Sequence, residues 1–274
     1  MFISIFEHVL RGYRWNLLMD SSGKKLTTYI TTNVMIVSYF FALFIPRFND
    51  IARCYLISKT NNIKISTSLG TVFSERIFDL ISLLILSAIF ILIEFDLFYG
   101  FIENYVLSNI EFNTTTYLLI FGSLIVLFFI LRYFSKKSSF ISSNLNEFKL
   151  GVLTIKENYK NKGFLISTFL LWLIYFLMGY VIFFSFTETT ELGVNAGIAV
   201  LVAGSIGMIV PVNAGIGAYH FLVASILLSY NLDYESGLFF ATLLHTSQIV
   251  CLAILGIISS IILFFKIKSN NEYS

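Results

Sequence analysis

Charge is scarce in this chain. Asp, Glu, Lys and Arg make up 12% of its 274 residues, about half the ~25% of an ordinary soluble domain. That shortage excludes a soluble globular enzyme. The net charge of +2 leaves no electrostatic footprint for a nucleic-acid partner. Cysteine is nearly absent too. Cys54 and Cys251 are the only two, and neither stands in a paired-ligand spacing, which excludes a disulfide framework and a cysteine zinc site. No metal set or cofactor fingerprint is legible. There are only two prolines, Pro46 and Pro211, so each is a landmark in an otherwise unbroken helical pattern. What the chain has in excess is apolar surface: 57% hydrophobic residues, 17% aromatics and a mean hydropathy of +0.83. The class is an all-α polytopic membrane protein.

A bilayer crossing takes roughly 20 apolar residues. Windows at about 69–93, 116–131, 164–186 and 237–265 meet that requirement. Met1 to Met19 carries Glu7, His8, Arg11 and Arg14 and reads as the cytoplasmic end of a helix rather than a whole span. Arg11, Arg14 and Trp15 read as an interfacial anchor. Basic loops set orientation. The stretch 132–162 is rich in lysine and is assigned to the cytoplasm, with an amphipathic surface helix near 140–160 that would bind anionic headgroups. Lys24, Lys25, Lys59, Lys64, Lys266 and Lys268 share that side, so the C-terminus is cytoplasmic. The loop 94–115 holds four acids and no lysine or arginine and faces outward.

Parity then constrains the two proline segments. Segment 27–57 lies between basic stretches, and segment 194–228 lies between acidic ones. Each must return to its own side, as a hairpin of two crossings or a re-entrant pair of short helices. Only about a dozen residues separate Pro46 from Lys59, and at ~1.5 Å per residue they reach about halfway through a ~30 Å core. Re-entry is the better reading for the first hairpin; both remain open for the second. Pro46 and Pro211 each precede an isoleucine by five residues, and a long apolar helix follows each hairpin. One unit enters from inside and the other from outside. That reads as an inverted repeat, with one repeat at about 27–131, the basic loop at 132–162 and the second repeat at about 163–265; the alternative is two unrelated helix-breaking prolines in one bundle. In such folds broken helices from the two halves meet near the midplane and form the binding site.

Ionised groups in an apolar helix are expensive and mark function by default. Glu75, Arg76 and Asp79 stand in the 69–93 window, and Arg47, Asp50 and Arg53 follow Pro46. A pairing of Glu75 or Asp79 with Arg53 or Arg47 would leave one arginine for a ligand phosphate, which suits the planar guanidinium fork. Glu75 and Arg76 lie either in the core or in the headgroup zone. Around Pro211, Asn213, Gly215 and Gly217 offer open backbone near a helix start, suited either to an anion or to close helix packing. His220, His245 and Gln248 are secondary polar candidates.

These residues carry a family resemblance. The Arg11-x-x-Arg14-Trp15 start, Pro46…Asp50-Ile-Ala-Arg53, Ser74-Glu75-Arg76-Ile-Phe-Asp79-Leu80 and Pro211…Gly215-Ile-Gly217 together resemble the transmembrane, flippase-like domain of lysylphosphatidylglycerol synthetases and its stand-alone relatives. The resemblance covers nearly the whole chain. Two departures stand out. Asn49-Asp50 replaces a Gly-Glu, and Tyr219-His220 stands where an acid follows the second proline. Family members usually begin with a further span, so the resemblance implies a chain shortened by a helix or more at its N-terminus.

The resemblance implies a bacterial inner-membrane protein that moves an anionic or aminoacylated phospholipid, or a lipid-linked saccharide, between leaflets. Arg47 and Arg53 would hold the phosphate. Asp50, Glu75 and Asp79 would orient them, and Pro46 and Pro211 would break the gating helices. The synthetase activity of the family resides in a soluble domain that has no counterpart here, so no catalytic residue is expected. An intramembrane lipid-modifying enzyme and a non-transporting scaffold are the alternatives. A lipid-modifying enzyme or a second copy of the chain is a possible protein partner.

Overall fold

A computed structural model describes residues 2–101, 139–210 and 212–272. The window at 116–131, the basic residues Arg132, Lys136 and Lys137, and Pro211 lie outside the described residues. The described residues are helices joined by turns and short irregular connections, without strands. The principal helices are α1 (Phe2–Ser21), α2 (Thr28–Ala42), α3 (Asn49–Asn61), α4 (Ile65–Ile93), α5 (Ser139–Leu153), α6 (Lys162–Ile182), α7 (Val194–Gly207), α8 (Ala218–Leu228) and α9 (Tyr234–Glu272). Among the described residues three helical stretches are long and apolar enough to span a bilayer: Ile65–Ile93, Lys162–Ser185 and Tyr234–Ser269.

Local sequence sets the boundaries. The Thr27 side chain accepts from the Ile30 amide at the start of α2. The Asn161 Oδ1 accepts from the Gly163 and Phe164 amides at the start of α6. The Asp233 Oδ1 does the same for Ser236 in α9. Each cap satisfies donors that a helix start leaves orphaned. Asn62 closes α3 in the left-handed conformation, with φ of 53°, a role asparagine tolerates better than most residues.

Helix α1 corrects the expectation for the N-terminus. It is a full 20-residue helix, not the stub of one, and it packs between α2, α4 and α6. Trp15 and Arg14 are 0% and 1% exposed, so they belong to the interior and are no interfacial anchor. The Trp15 indole donates to Thr71 Oγ1 at 3.1 Å. Met19 sits against Thr71, while Arg14 reaches Asp79, so α1 runs antiparallel to α4. It also runs antiparallel to α6, with Arg11 at Tyr175 and Ser21 at Asn158 just before α6.

These directions collect the described lysines at one end of the bundle. Lys24 and Lys25 follow α1, Lys59 and Lys64 sit at the α3–α4 turn, Lys162 opens α6, and Lys266 and Lys268 close α9. Glu94, Glu188, Glu191, Asp233 and Glu235 lie at the opposite end, where the Asn195 amide donates to Glu94 at 2.6 Å. A separate apolar cluster holds each end. Trp15, Leu18, Met35, Ile57, Phe164 and Leu263 belong to the lysine end. Phe90, Phe183, Val200, Val223, Phe240 and Leu244 belong to the acidic end.

Two helical hairpins enter from these opposite ends. α2 and α3 start and finish at the lysine end, with the turn 43–48 at their tip. α7 and α8 start and finish at the acidic end, with the turn 208–217 at theirs. Their arms have 15, 13, 14 and 11 residues, so at ~1.5 Å per residue none reaches the ~30 Å of a hydrocarbon core. Each hairpin is preceded by one helix and followed by a long one. α1 precedes the first and α4 follows it; α6 precedes the second and α9 follows it, with every direction reversed.

In the basic segment, where the sequence predicts an amphipathic surface helix near 140–160, α5 is docked along the first half of α4. Gly70 and Gly151 face each other at backbone contact, so that a Cβ on Gly151 would stand 2.7 Å from the Gly70 Cα. Ser74 donates to the carbonyls of Gly151 and Val152. Lys64 and Thr67 bond Glu147, and these bonds hold its carboxyl below its ordinary value.

Candidate functional site

The two hairpin tips meet at a cavity of about 490 Å³ between the two apolar clusters. Its charged wall is built by α1, the first hairpin and α4, and its other wall by α6, the second hairpin and α9. Arg76 is the twelfth residue of α4 and His245 the twelfth of α9, so the two long helices each present a polar side chain at the same depth from their own starts.

Behind the charged wall lies a closed ring of alternating charges. Arg14 reaches Asp79 at 2.6 Å and Glu75 at 2.9 Å. Glu75 continues to Arg53 at 2.6 Å, and Arg53 to Asp50 at 2.9 Å. Asp50 continues to Arg76 at 2.7 Å, and Arg76 returns to Asp79 at 3.8 Å. Three arginines meet three carboxylates, and the ring is neutral. Its deep members Arg14, Arg53 and Glu75 are at most 1% exposed, whereas the Arg76, Asp50 and Asp79 side chains are 39%, 31% and 24% exposed. The Arg53 guanidinium also lies over the Trp15 ring at 5.1 Å. Buried charges survive only when paired and hydrogen-bonded, and the ring is the local solution.

A second neutral pair sits beside it. Glu7 lies 2.7 Å from the Arg11 Nε, and Arg11 donates to the Tyr175 hydroxyl at 2.8 Å. Arg11 also stands 4.6 Å over the Tyr39 ring.

The placement of the sequence-derived candidates can now be given. Arg47, Arg76, Asp79, Gly215, His245 and Gln248 line the cavity. Asp50, Arg53 and Glu75 stand behind its wall, in the ring. The assignment of a phosphate to Arg53 is therefore corrected: both its terminal nitrogens are committed to Glu75 and Asp50, and it is 0% exposed. Glu75 is interior to the bundle at 1% exposure, whereas the Arg76 side chain is 39% exposed at the cavity. Pro46 is exposed at the first tip, and Pro211 lies outside the described residues.

Asn213 and Gly217 are exposed and do not line the cavity. The Gly217 amide at the start of α8 donates to His220 Nδ1 at 3.3 Å, so His220 caps its own helix, away from the cavity lining. The glycines of α7 serve packing: a Cβ on Gly207 would stand 2.7 Å from the Tyr219 Cα, and one on Gly204 would stand 2.7 Å from the Tyr219 ring. His245 lies 4.8 Å from the Tyr219 ring and 5.0 Å from that of His220.

Sequence reasoning missed four residues that matter here. Arg14 closes the ring, and Glu7, Tyr39 and Trp172 line the cavity. The signal for Arg14 was present: Glu7, Arg11 and Arg14 share one helical face, three charged residues in a largely apolar helix.

The sequence profile of the family described as the lysylphosphatidylglycerol synthase TM region matches residues 1–256. A UPF0104 membrane protein of Methanocaldococcus jannaschii is 30% identical over 204 residues, covering 73% of this chain and 82% of that protein. No solved structure matches the chain.

Proposed function

The chain belongs to the lysylphosphatidylglycerol synthase TM region family, and we propose that it binds a lipid headgroup in the central cavity and passes it between the leaflets of the plasma membrane. The observation that carries this reading is the meeting of two hairpins from opposite ends at one charged cavity. About 490 Å³ falls within the ~300–1,000 Å³ of small-molecule sites. It suits a headgroup and leaves the acyl chains outside, in lipid.

In this reading the two units α1–α4 and α6–α9 are inverted repeats, each with a re-entrant hairpin, and the lysine-rich end, with the C-terminus, faces the cytoplasm. The headgroup passes from one hairpin tip to the other by small movements of the tips, while the neutral ring holds α1, α3 and α4 together. The chain itself performs no chemical step on the lipid.

The test is translocation of acyl-labelled fluorescent phospholipids in proteoliposomes, read by quenching from the outer leaflet. Ser205 lines the cavity from α7 and its hydroxyl bonds only the Leu201 carbonyl of its own helix. Ser205→Trp fills the cavity and is expected to bring the rate down to that of protein-free vesicles at an unchanged thermal midpoint. Wild-type protein that moves no lipid, or a Ser205→Trp variant as fast as wild type, overturns the reading.

A further inference from the structure

Among the described residues, Arg47 is the one arginine that forms no ion pair. It stands at the tip of the first hairpin, exposed and lining the cavity. Every other charge around the cavity is matched: the ring is neutral, and Glu7 neutralises Arg11. We infer that Arg47 makes the cavity selective for a headgroup carrying a single net negative charge, a phosphodiester monoanion. The inference rests on the translocation reading and names the substrate class of the same site.

The argument is electrostatic. A charge withdrawn from water needs a partner. A monoanion entering the cavity pairs with Arg47 and leaves nothing over. A zwitterion brings its own cation along with its phosphate and leaves Arg47 uncompensated. An aminoacylated lipid of net positive charge adds a like charge. A dianionic phosphomonoester leaves a negative charge behind.

The neutral groups agree. Trp172 and Tyr39 line the cavity, and the Trp172 Nε1 and the Tyr39 hydroxyl are buried beneath its surface with no hydrogen-bond partner. Indole N–H can only donate, so it calls for an acceptor, and phosphodiester oxygens only accept. Buried polar groups left open in this way ask for an explanation, and a phosphate reached by a small shift of either side chain supplies one.

The backbone adds a separate sign. Arg47 has φ of 60°, the left-handed region that an arginine rarely occupies. Such conformations concentrate at sites of function. Glycine would hold this turn without strain, yet the chain places a long cationic side chain there.

The experiment uses vesicles of phosphatidylcholine containing acyl-labelled phosphatidylglycerol, phosphatidylcholine or lysylphosphatidylglycerol as the moving lipid. Wild-type protein is expected to move phosphatidylglycerol fastest and the lysyl lipid slowest. Arg47→Gly should lower the phosphatidylglycerol rate to that of phosphatidylcholine while the thermal midpoint holds or rises, and Arg47→Lys should keep the preference. Excess soluble glycerophosphoglycerol that slows transport identifies the headgroup as the recognised part; if free inorganic phosphate alone competes equally well, the site reads phosphate and not a diester, and the inference fails. Equal wild-type rates for all three lipids, or a preference that survives Arg47→Gly, also overturn it. If no lipid moves, translocation itself falls. The inference then stands only if native mass spectrometry shows wild type retaining phosphatidylglycerol over phosphatidylcholine and Arg47→Gly losing that preference, and otherwise falls with it.

Discussion

Glu75→Gln is expected to cost about 3–5 kcal/mol of stability, the range for breaking a buried ion pair by removing one partner. Glu75 is the one carboxylate that joins the two fully buried arginines, Arg14 on α1 and Arg53 on α3. Without its charge both guanidiniums remain in an apolar interior, Arg14 held only by Asp79 and Arg53 only by Asp50. The other two carboxylates are different. Asp50 and Asp79 are partly exposed, so water screens what their loss leaves behind, and each buried arginine keeps Glu75. Asp50→Asn and Asp79→Asn should therefore lower the thermal midpoint in detergent much less than Glu75→Gln. Equal effects from all three variants would show that the ring is not organised around Glu75.

The ring also shows what could be read without the structure. The rule that charges in apolar helices are functional found Glu75, Arg76 and Asp79, because the sequence around them is plainly membrane-like. The same rule applied to α1 points to Arg14, but four charged or titratable residues lowered the apparent hydropathy of that helix until it read as the cytoplasmic end of a helix rather than a whole span. Pairing partners were also beyond reach. Arg47 and Arg53 stand six residues apart on the same hairpin, and nothing in their spacing tells which is buried. The turn decides it: Arg47 sits in the left-handed tip residue and points to the cavity, while Arg53 lies one turn into α3, against α4.

The hairpins were legible from loop charge and parity alone, since lysines and acids segregate so cleanly along the chain. The docking of α5 was not. Its charged residues suggested a membrane surface, whereas its contact with α4 depends on two glycines, Gly70 and Gly151, about eighty residues apart, and on backbone carbonyls that have no sequence signature. The glycines of α7 pointed to close helix packing without naming the partner. The structure assigns Gly204 and Gly207 to the close approach of Tyr219, because their missing side chains let the two arms of the second hairpin touch.

Gly70→Ala is expected to unseat α5. The added methyl would run into the Phe148 carbonyl and stand 2.8 Å from the Gly151 Cα. Both are backbone atoms of a helix, so no rotamer change relieves the clash and α5 must move away as a body. Overpacking of this kind typically costs about 1–3 kcal/mol. Here the displacement also breaks the bonds from Ser74 to the Gly151 and Val152 carbonyls and from Thr67 to Glu147. Gly151→Ala meets Thr71 N at 2.7 Å from the other side and should have the same effect. The contact is shared, so the double variant should cost clearly less than the two single costs together. Thermal unfolding in detergent measures the midpoints, and limited proteolysis in residues 139–153 reads the release of α5 directly. A Gly100→Ala control, with nothing within 4 Å of its added methyl, should leave both measurements at the wild-type value. Gly70→Ala protein with a wild-type midpoint and no new cleavage would mean that the glycine contact does not hold α5 on the bundle.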